Sequence, residues 1–240
     1  MEIKGFLKSS LLEWEGRLSC VLFLPRCNLR CLYCHAVDLV LDPDSLDTVP
    51  LEEVTAHLRE NSGWVDGVAI TGGEPTLHGP ELIDLIGTLR EVPVSVLVET
   101  NGTRPDWVAR LIGEGLVDAM SMDVKAPLTQ ADYARVTGVE VDVAQVRRSI
   151  EIIKGSGLEY EFRITLVPGL VGRGELEGIL PALEGSRQIA LQNFRAGRCL
   201  SEELSATTPF KPAEMDVFEA LATPFTDRCV VRGRDHALTA

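Results

Sequence analysis

A chain of 240 residues, 45% hydrophobic and 25% charged, is long enough to bury one large core and too evenly mixed for a disordered or fibrous protein. Its formal net charge of -13 repels phosphate backbones and anionic head groups, which argues against nucleic acid or a membrane surface as a partner. The opening stretch Met1–Ser10 holds Glu2 and no long apolar run, and nothing later reaches the ~18 apolar residues of a membrane span, so a cytoplasmic protein is expected.

In chain order, Met1–Gly16 reads as a small β extension. Apolar and β-branched runs then predict strands at Leu18–Leu24, Gly67–Thr71, Val94–Glu99, Val117–Asp123, Glu159–Val167 and Gln188–Asn193, with a late strand at Arg228–Arg232. Helices fall between them. Leu51–Glu60 gathers Leu51, Val54 and Leu58 on one face, and Pro80–Arg90 gathers Leu82, Leu85, Ile86 and Leu89. Pro105 opens a helix that closes near Gly113, and Val143–Lys154 ends at Gly155. Repeated β and α units predict an α/β fold with a parallel sheet, curved into a partial (β/α)6 TIM-like barrel behind the short N-terminal β extension. The open nucleotide-binding alternative wants a glycine-rich turn after its first strand, where this chain has Pro25-Arg26-Cys27. One domain, 1–240, is expected, with the extension at 1–16, the barrel core at 17–200 and a C-terminal helix and strand at 201–240.

In such folds active sites form at the carboxyl ends of the strands, and the unusual residues of this chain cluster there. The first strand is followed by Cys27-x3-Cys31-x2-Cys34, the second by Thr71-Gly72-Gly73-Glu74-Pro75, the third by Glu99-Thr100-Asn101-Gly102 and the fourth by Asp123-Val124-Lys125. Three thiols within eight residues, in a reducing compartment, point to a metal centre rather than to disulfides. Cys20, Cys199 and Cys229 stand alone and read as buried thiols. A structural zinc site closes with four protein ligands, and the one available fourth donor, His35, adjoins Cys34 and points elsewhere in most backbones. Iron–sulfur clusters usually take four cysteines, so three leave one iron open to an exchangeable ligand. The Thr71–Pro75 stretch reads either as a plain turn or as a close backbone approach to a charged small molecule, with Glu74 as acceptor for an ammonium. Lys125 reads either as a solvated charge or as the counterpart of a carboxylate, with Asp123 on the same strand face. Glu99 and Thr100, one strand over, add oxygens for a cation or for ligand contacts.

The string Cys27-Asn28-Leu29-Arg30-Cys31-Leu32-Tyr33-Cys34-His35 resembles the CxxxCxΦC signature of the radical S-adenosylmethionine (SAM) superfamily, and Gly72-Gly73-Glu74-Pro75 resembles its glycine motif. Within that superfamily the chain is most similar to activating enzymes of glycyl radical proteins, above all those of anaerobic ribonucleoside-triphosphate reductases. The likeness takes in Gly5-Phe6, Ser10-Leu11-Leu12, Thr100-Asn101-Gly102, Met122 to Pro127, Tyr133, Thr137-Gly138, Phe162-Arg163, Pro168-Gly169 and Leu191 to Arg195. It implies a [4Fe–4S] cluster on Cys27, Cys31 and Cys34, with SAM on the open iron. It further implies SAM contacts from Tyr33, His35, Gly72, Gly73, Glu74, Thr100, Asn101, Asp123, Lys125 and Arg163, and a monovalent cation beside Glu99, Thr100 and Asp123. Ala36 and Glu99 depart from the asparagine and aspartate common at those places.

The resemblance also implies a reaction. Electrons from a flavodoxin- or ferredoxin-like donor would cleave SAM to a 5′-deoxyadenosyl radical, which takes hydrogen from a glycine of the partner glycyl radical enzyme, with no acid, base or nucleophile from the chain. Two rivals remain: a radical SAM reaction on a small molecule, as in 7-carboxy-7-deazaguanine synthase, and a non-catalytic Fe–S or zinc module, which would show four protein ligands.

Overall fold

The computed structural model describes residues 1–234; the last six residues of the segment assigned above to 201–240 lie outside them. Eight strands follow one another in sheet order as in sequence: β1 Gly5–Ser10, β2 Ser19–Leu24, β3 Gly67–Gly72, β4 Ser95–Thr100, β5 Ala119–Asp123, β6 Glu159–Leu166, β7 Ser186–Asn193 and β8 Thr226–Arg232. The extension strand β1 runs antiparallel to β2, whereas β2, β3 and β4 pair in parallel, as do β6, β7 and β8. Every expected strand is present with its ends within two residues of the expectation.

The helices are α1 Val37–Leu41, α2 Leu51–Glu60, α3 Pro80–Leu89, α4 Pro105–Gly113, α5 Gln130–Thr137, α6 Val143–Lys154, α7 Arg173–Ile179, α8 Glu202–Ser205 and α9 Pro212–Ala222. Their ends carry identifiable stops. Thr129 caps α5 by accepting from the Asp132 amide, and Gly138, in the left-handed region at φ 68°, closes it. Asp142 accepts from the Ala144 amide at the start of α6. None of the helices among the described residues is long and apolar enough to cross a membrane.

Two compact units interleave along the chain. The first comprises Met1–Asn28, Ala36–Thr100 and Asp106–Met120. There α2 and α3 bury the expected Val54, Leu58, Leu82, Leu85, Ile86 and Leu89, while Leu51, expected on the same stripe, is only half-buried at the first turn of α2. A separate cluster joins Val21, Ala69, Leu97 and Ala119 from successive strands under Trp14, with Phe23 packed against it. A Cβ on Gly67 would come 2.7 Å from the Trp14 ring, so glycine at that strand position makes room for the indole.

The second unit comprises Leu29–His35, Asn101–Pro105 and the chain from Ser121 onward. Along β6 the side chains alternate: Tyr160, Phe162, Ile164 and Leu166 are buried apolar residues, while Glu161, Arg163 and Thr165 fall on the other face. Glu161 is buried yet charged. It accepts from Ser121 Oγ (2.9 Å), Gln188 Nε2 (2.9 Å) and both terminal nitrogens of Arg232 (2.8 and 2.7 Å). Burial alone would raise its pKa; Arg232, helped by Arg163 and Ser121, outweighs that and holds the carboxyl below its usual range.

Candidate functional site

The approach to the first cysteine is set in the first unit. Arg26, immediately before Cys27, has φ 67° and is the one non-glycine residue among the described ones with a positive φ. That conformation costs about 1–2 kcal/mol for an L-residue, and the surroundings hold it in place. The Arg26 amide donates to Leu39 O (2.7 Å), while Arg26 O accepts from the Glu74 amide (2.8 Å) and Leu24 O accepts from the Gly73 amide (2.8 Å). A Cβ on Gly73 would lie 1.8 Å from Arg26 O, and one on Gly72, at φ 115°, would lie 2.4 Å from Leu24 N. Both glycines are therefore needed for the Thr71–Pro75 loop to lie against the turn that launches the cysteines. His78 braces the same turn through Nε2, 2.9 Å from Pro25 O.

With the Gly73 and Glu74 amides engaged by the carbonyls of Leu24 and Arg26, the loop has acceptors rather than donors to offer a ligand, which suits an ammonium group. Glu74 is completely buried; its Oε1 accepts from the Thr76 amide (3.1 Å), Thr76 Oγ1 (2.5 Å) and Thr100 Oγ1 (2.7 Å). Glu99, also buried, accepts from Thr71 Oγ1 at 2.7 Å. The end of β4 is thus tied to β3 and the loop that follows it by hydroxyl–carboxylate bonds, and two of the three residues expected at a cation, Glu99 and Thr100, belong to that network.

The other two cysteines belong to the second unit. The Cys34 amide donates to Cys31 O (2.9 Å), closing a tight turn. Amides of Arg30 and Leu32 donate to Thr137 O (2.8 Å) and Val136 O (3.2 Å), which are terminal carbonyls of α5 that the helix itself leaves without partners. Gly138 permits this docking, since a Cβ there would stand 2.7 Å from Arg30 O. On its far side the loop meets the segment after β7: His35 Nδ1 lies 3.0 Å from Arg198 O, Leu32 O accepts from the Ser201 amide (2.8 Å), and the His35 ring stacks on Phe194 with centroids 5.7 Å apart.

Tyr33 is buried, and its hydroxyl has no hydrogen-bond partner among the described residues. The Lys125 ammonium sits 5.8 Å from the centre of its ring, within cation–π range. Lys125 is not the solvated charge of the plainer reading. Its Nζ contacts Asp123 Oδ2 at 2.8 Å, and Arg163 grips the same carboxylate from Nε (2.6 Å to Oδ1) and Nη2 (3.1 Å to Oδ2). Burial opposes the Asp123 charge, yet Arg163 and Lys125 outweigh it and hold the carboxyl well below the usual range. For Lys125 burial likewise opposes the charge, and Asp123 overrides it and raises the pKa well above the ordinary lysine value. Burial pushes the Tyr33 and Tyr133 phenols far up, so both are neutral, and Tyr133 accepts from the Lys125 amide (3.3 Å). Asn101 serves its own turn, accepting from the Thr103 amide (3.0 Å) and hydroxyl (2.7 Å). Asp123, the third residue expected at a cation, already has two cations on its oxygens.

Among the described residues, no three or more His, Cys, Asp or Glu side chains gather as a cage for one ion. A polynuclear centre, in which each thiolate holds its own iron, fits this donor set better than a zinc ion that needs four donors on one point. Of the lone cysteines, Cys20 and Cys199 are buried and Cys229 is half-buried; burial pushes the Cys20 and Cys229 thiols up to about 11. Sequence reasoning missed Arg26 and His78. Nothing in a lone arginine signals a positive φ, and the histidine's partner is a carbonyl 53 residues away in sequence.

Comparison with known proteins bears on the same residues. The Radical SAM superfamily profile matches residues 21–174, from β2 to the start of α7. A protein of Methanocaldococcus jannaschii named as a putative glycyl-radical enzyme activating enzyme is 27% identical over 233 residues, covering 96% of this chain and 95% of its own. The 7-carboxy-7-deazaguanine synthase of Methanopyrus kandleri is 37% identical over 120 residues, which is 42% of this chain and 46% of that enzyme. Among solved structures, TYW1 with a lysine-pyruvate adduct bound aligns with a TM-score of 0.62 at 16% identity, over 87% of this chain and 74% of that one; at such identity it shows the shared fold alone. With its three-cysteine loop, its profile match and its fold, the chain belongs to the radical SAM superfamily: an α/β enzyme of the partial TIM-like barrel class that works with a [4Fe–4S] cluster and SAM.

Proposed function

We propose that this chain activates a glycyl radical enzyme, with an anaerobic ribonucleoside-triphosphate reductase as its partner and a flavodoxin- or ferredoxin-like protein as its electron donor. The observation that carries the reading is the likeness to the archaeal activating enzyme over nearly the full length of both chains, which extends beyond the superfamily core. When bound, the cluster supplies the electron that splits SAM into methionine and a 5′-deoxyadenosyl radical able to take hydrogen from a glycine α-carbon.

The residues of the chain hold and orient. Cys27, Cys31 and Cys34 would each ligate one iron. Glu74 and the acceptors of the Gly72–Gly73 stretch suit the SAM ammonium; Lys125, kept charged by Asp123, suits a carboxylate. Arg163 holds Asp123 through both carboxylate oxygens, and Tyr33 walls the Lys125 ammonium. No side chain is required as acid, base or nucleophile.

Anaerobically reconstituted wild-type protein with dithionite and SAM is expected to release 5′-deoxyadenosine, with Cys31→Ala falling to background. Addition of an anaerobic reductase should then give the doublet of a glycyl radical in the electron paramagnetic resonance spectrum. Full SAM cleavage by Cys31→Ala would overturn the cluster assignment. Cleavage without any glycyl radical, together with turnover in the deazaguanine-forming ring contraction, would favour the second reading, for which the Methanopyrus likeness and the Glu99-Thr100-Asn101-Gly102 loop speak.

A further inference from the structure

The segment that follows β7, Phe194 to Ser201, makes three separate contacts with the second half of the cysteine loop, and each falls on a residue next to a cysteine. Ser201 donates its amide to the carbonyl of Leu32, the neighbour of Cys31. Arg198 O meets Nδ1 of His35, the neighbour of Cys34, and Phe194 stacks on the same imidazole. The segment is itself anchored. Phe194 is 2% exposed and its amide donates to Leu166 O (2.9 Å); the Gly197 amide donates to Ser205 O (3.0 Å); the buried Cys199 thiol donates to Ser201 O (3.1 Å). Arg195 through Arg198 are exposed. The result is a strap exposed on its outer side and hydrogen-bonded to the Leu32 carbonyl and the His35 imidazole.

We propose that this strap positions the Cys31–His35 half of the loop, with Phe194 as its anchor, and thereby limits how far water reaches the cluster. Phe194 and Arg198 act through His35, and Ser201 acts through Leu32; they are positioning residues rather than catalytic ones. The inference rests on the cluster assignment and not on the identity of the substrate. Two physical consequences follow. A cysteine whose backbone is less firmly held loses its metal more readily. Reduction also adds negative charge to a centre already carrying three thiolates, so freer access of water stabilises the reduced form and raises the potential.

The test is an iron-release assay with a chelator and a redox titration followed by electron paramagnetic resonance, both on reconstituted holoenzyme. Phe194→Ala should release iron about tenfold faster or more, the range typical of residues that orient metal ligands, and its potential should move upward. Phe194→Tyr keeps the ring and should match wild type in both. His35→Ala removes the stack and the Arg198 contact at an exposed position, so it should shift both readouts in the same direction even if the core variant fails to fold. Wild-type release and potential in His35→Ala and in folded Phe194→Ala would overturn the strap while leaving the cluster assignment standing; a wild-type protein that forms no SAM-responsive cluster would instead overturn the assignment itself.

Discussion

The strands of the two units solve burial in opposite ways. On the strands of the first unit, Val21, Ala69, Leu97 and Ala119 lie under Trp14 and need only volume from their neighbours. On those of the second, Glu161 is held by Ser121, Gln188 and Arg232, and Asp123 by Arg163 and Lys125, so every group needs a particular partner. The first set can be damaged by changing size; the second is damaged by changing one member of a pair. Candidate SAM contacts fall on both: Asp123, Lys125 and Arg163 belong to the polar network, and Gly72, Gly73, Glu74 and Thr100 lie at the carboxyl ends of the first unit's strands.

The sharpest test of that contrast sets two large losses side by side. Trp14→Ala should cost about 3–5 kcal/mol, the range for truncating a buried aromatic, and no compensating polar change should restore it. Glu161→Ala should cost a similar amount, about 3–5 kcal/mol, because the half-buried Arg232 charge loses its carboxylate partner. The double variant Glu161→Leu with Arg232→Met should recover most of the loss. Denaturant midpoints measure all three, and a double variant as weak as Glu161→Ala alone would show that the polar face does not behave as a pair.

A smaller effect probes the apolar face by overpacking. Gly67→Ala drives a methyl to 2.7 Å from the Trp14 ring and 2.9 Å from Ser95 O, which should cost about 1–3 kcal/mol. In a Trp14→Leu background most of that added cost should disappear, and an unchanged cost would place the clash on the backbone instead.

The smallest difference is one of pH. Glu161 has a folded pKa below its unfolded value, so its stabilising contribution is complete above the unfolded carboxylate value, about 4.3, and is lost as the pH falls through the lower, folded one. Wild type should therefore lose stability more steeply than the Glu161→Leu, Arg232→Met double variant in acid, with parallel curves between pH 5 and 7. Parallel curves down to pH 2 would mean that the carboxyl does not titrate differently in the two states.

The sequence carried the architecture well because the strands announce themselves as β-branched runs closed by glycine or proline, and α3 and α6 by apolar stripes with strong end signals. It carried α5 less well. That helix has few apolar residues, and its value lies in two terminal carbonyls that receive the cysteine loop. The period-2 alternation Glu161, Arg163, Thr165 against Phe162, Ile164, Leu166 was a legible sign of a polar face, though not of Arg232 as the partner, 71 residues away. Of the site, the cysteines and Gly72-Gly73-Glu74 stood out by spacing. What spacing hid was that the glycines admit the Leu24–Arg26 backbone, and that Lys125 lies on Tyr33. Those are tertiary contacts, which no local pattern encodes.

The left-handed turn at Arg26 has a consequence for the cysteine that follows it. Hydrogen bonds to Leu39 and Glu74 enforce that torsion, so the bend in the tether of the first sulfur is written into the backbone itself. Glycine at this position would assume the same shape without strain while leaving the unfolded chain freer to wander from it.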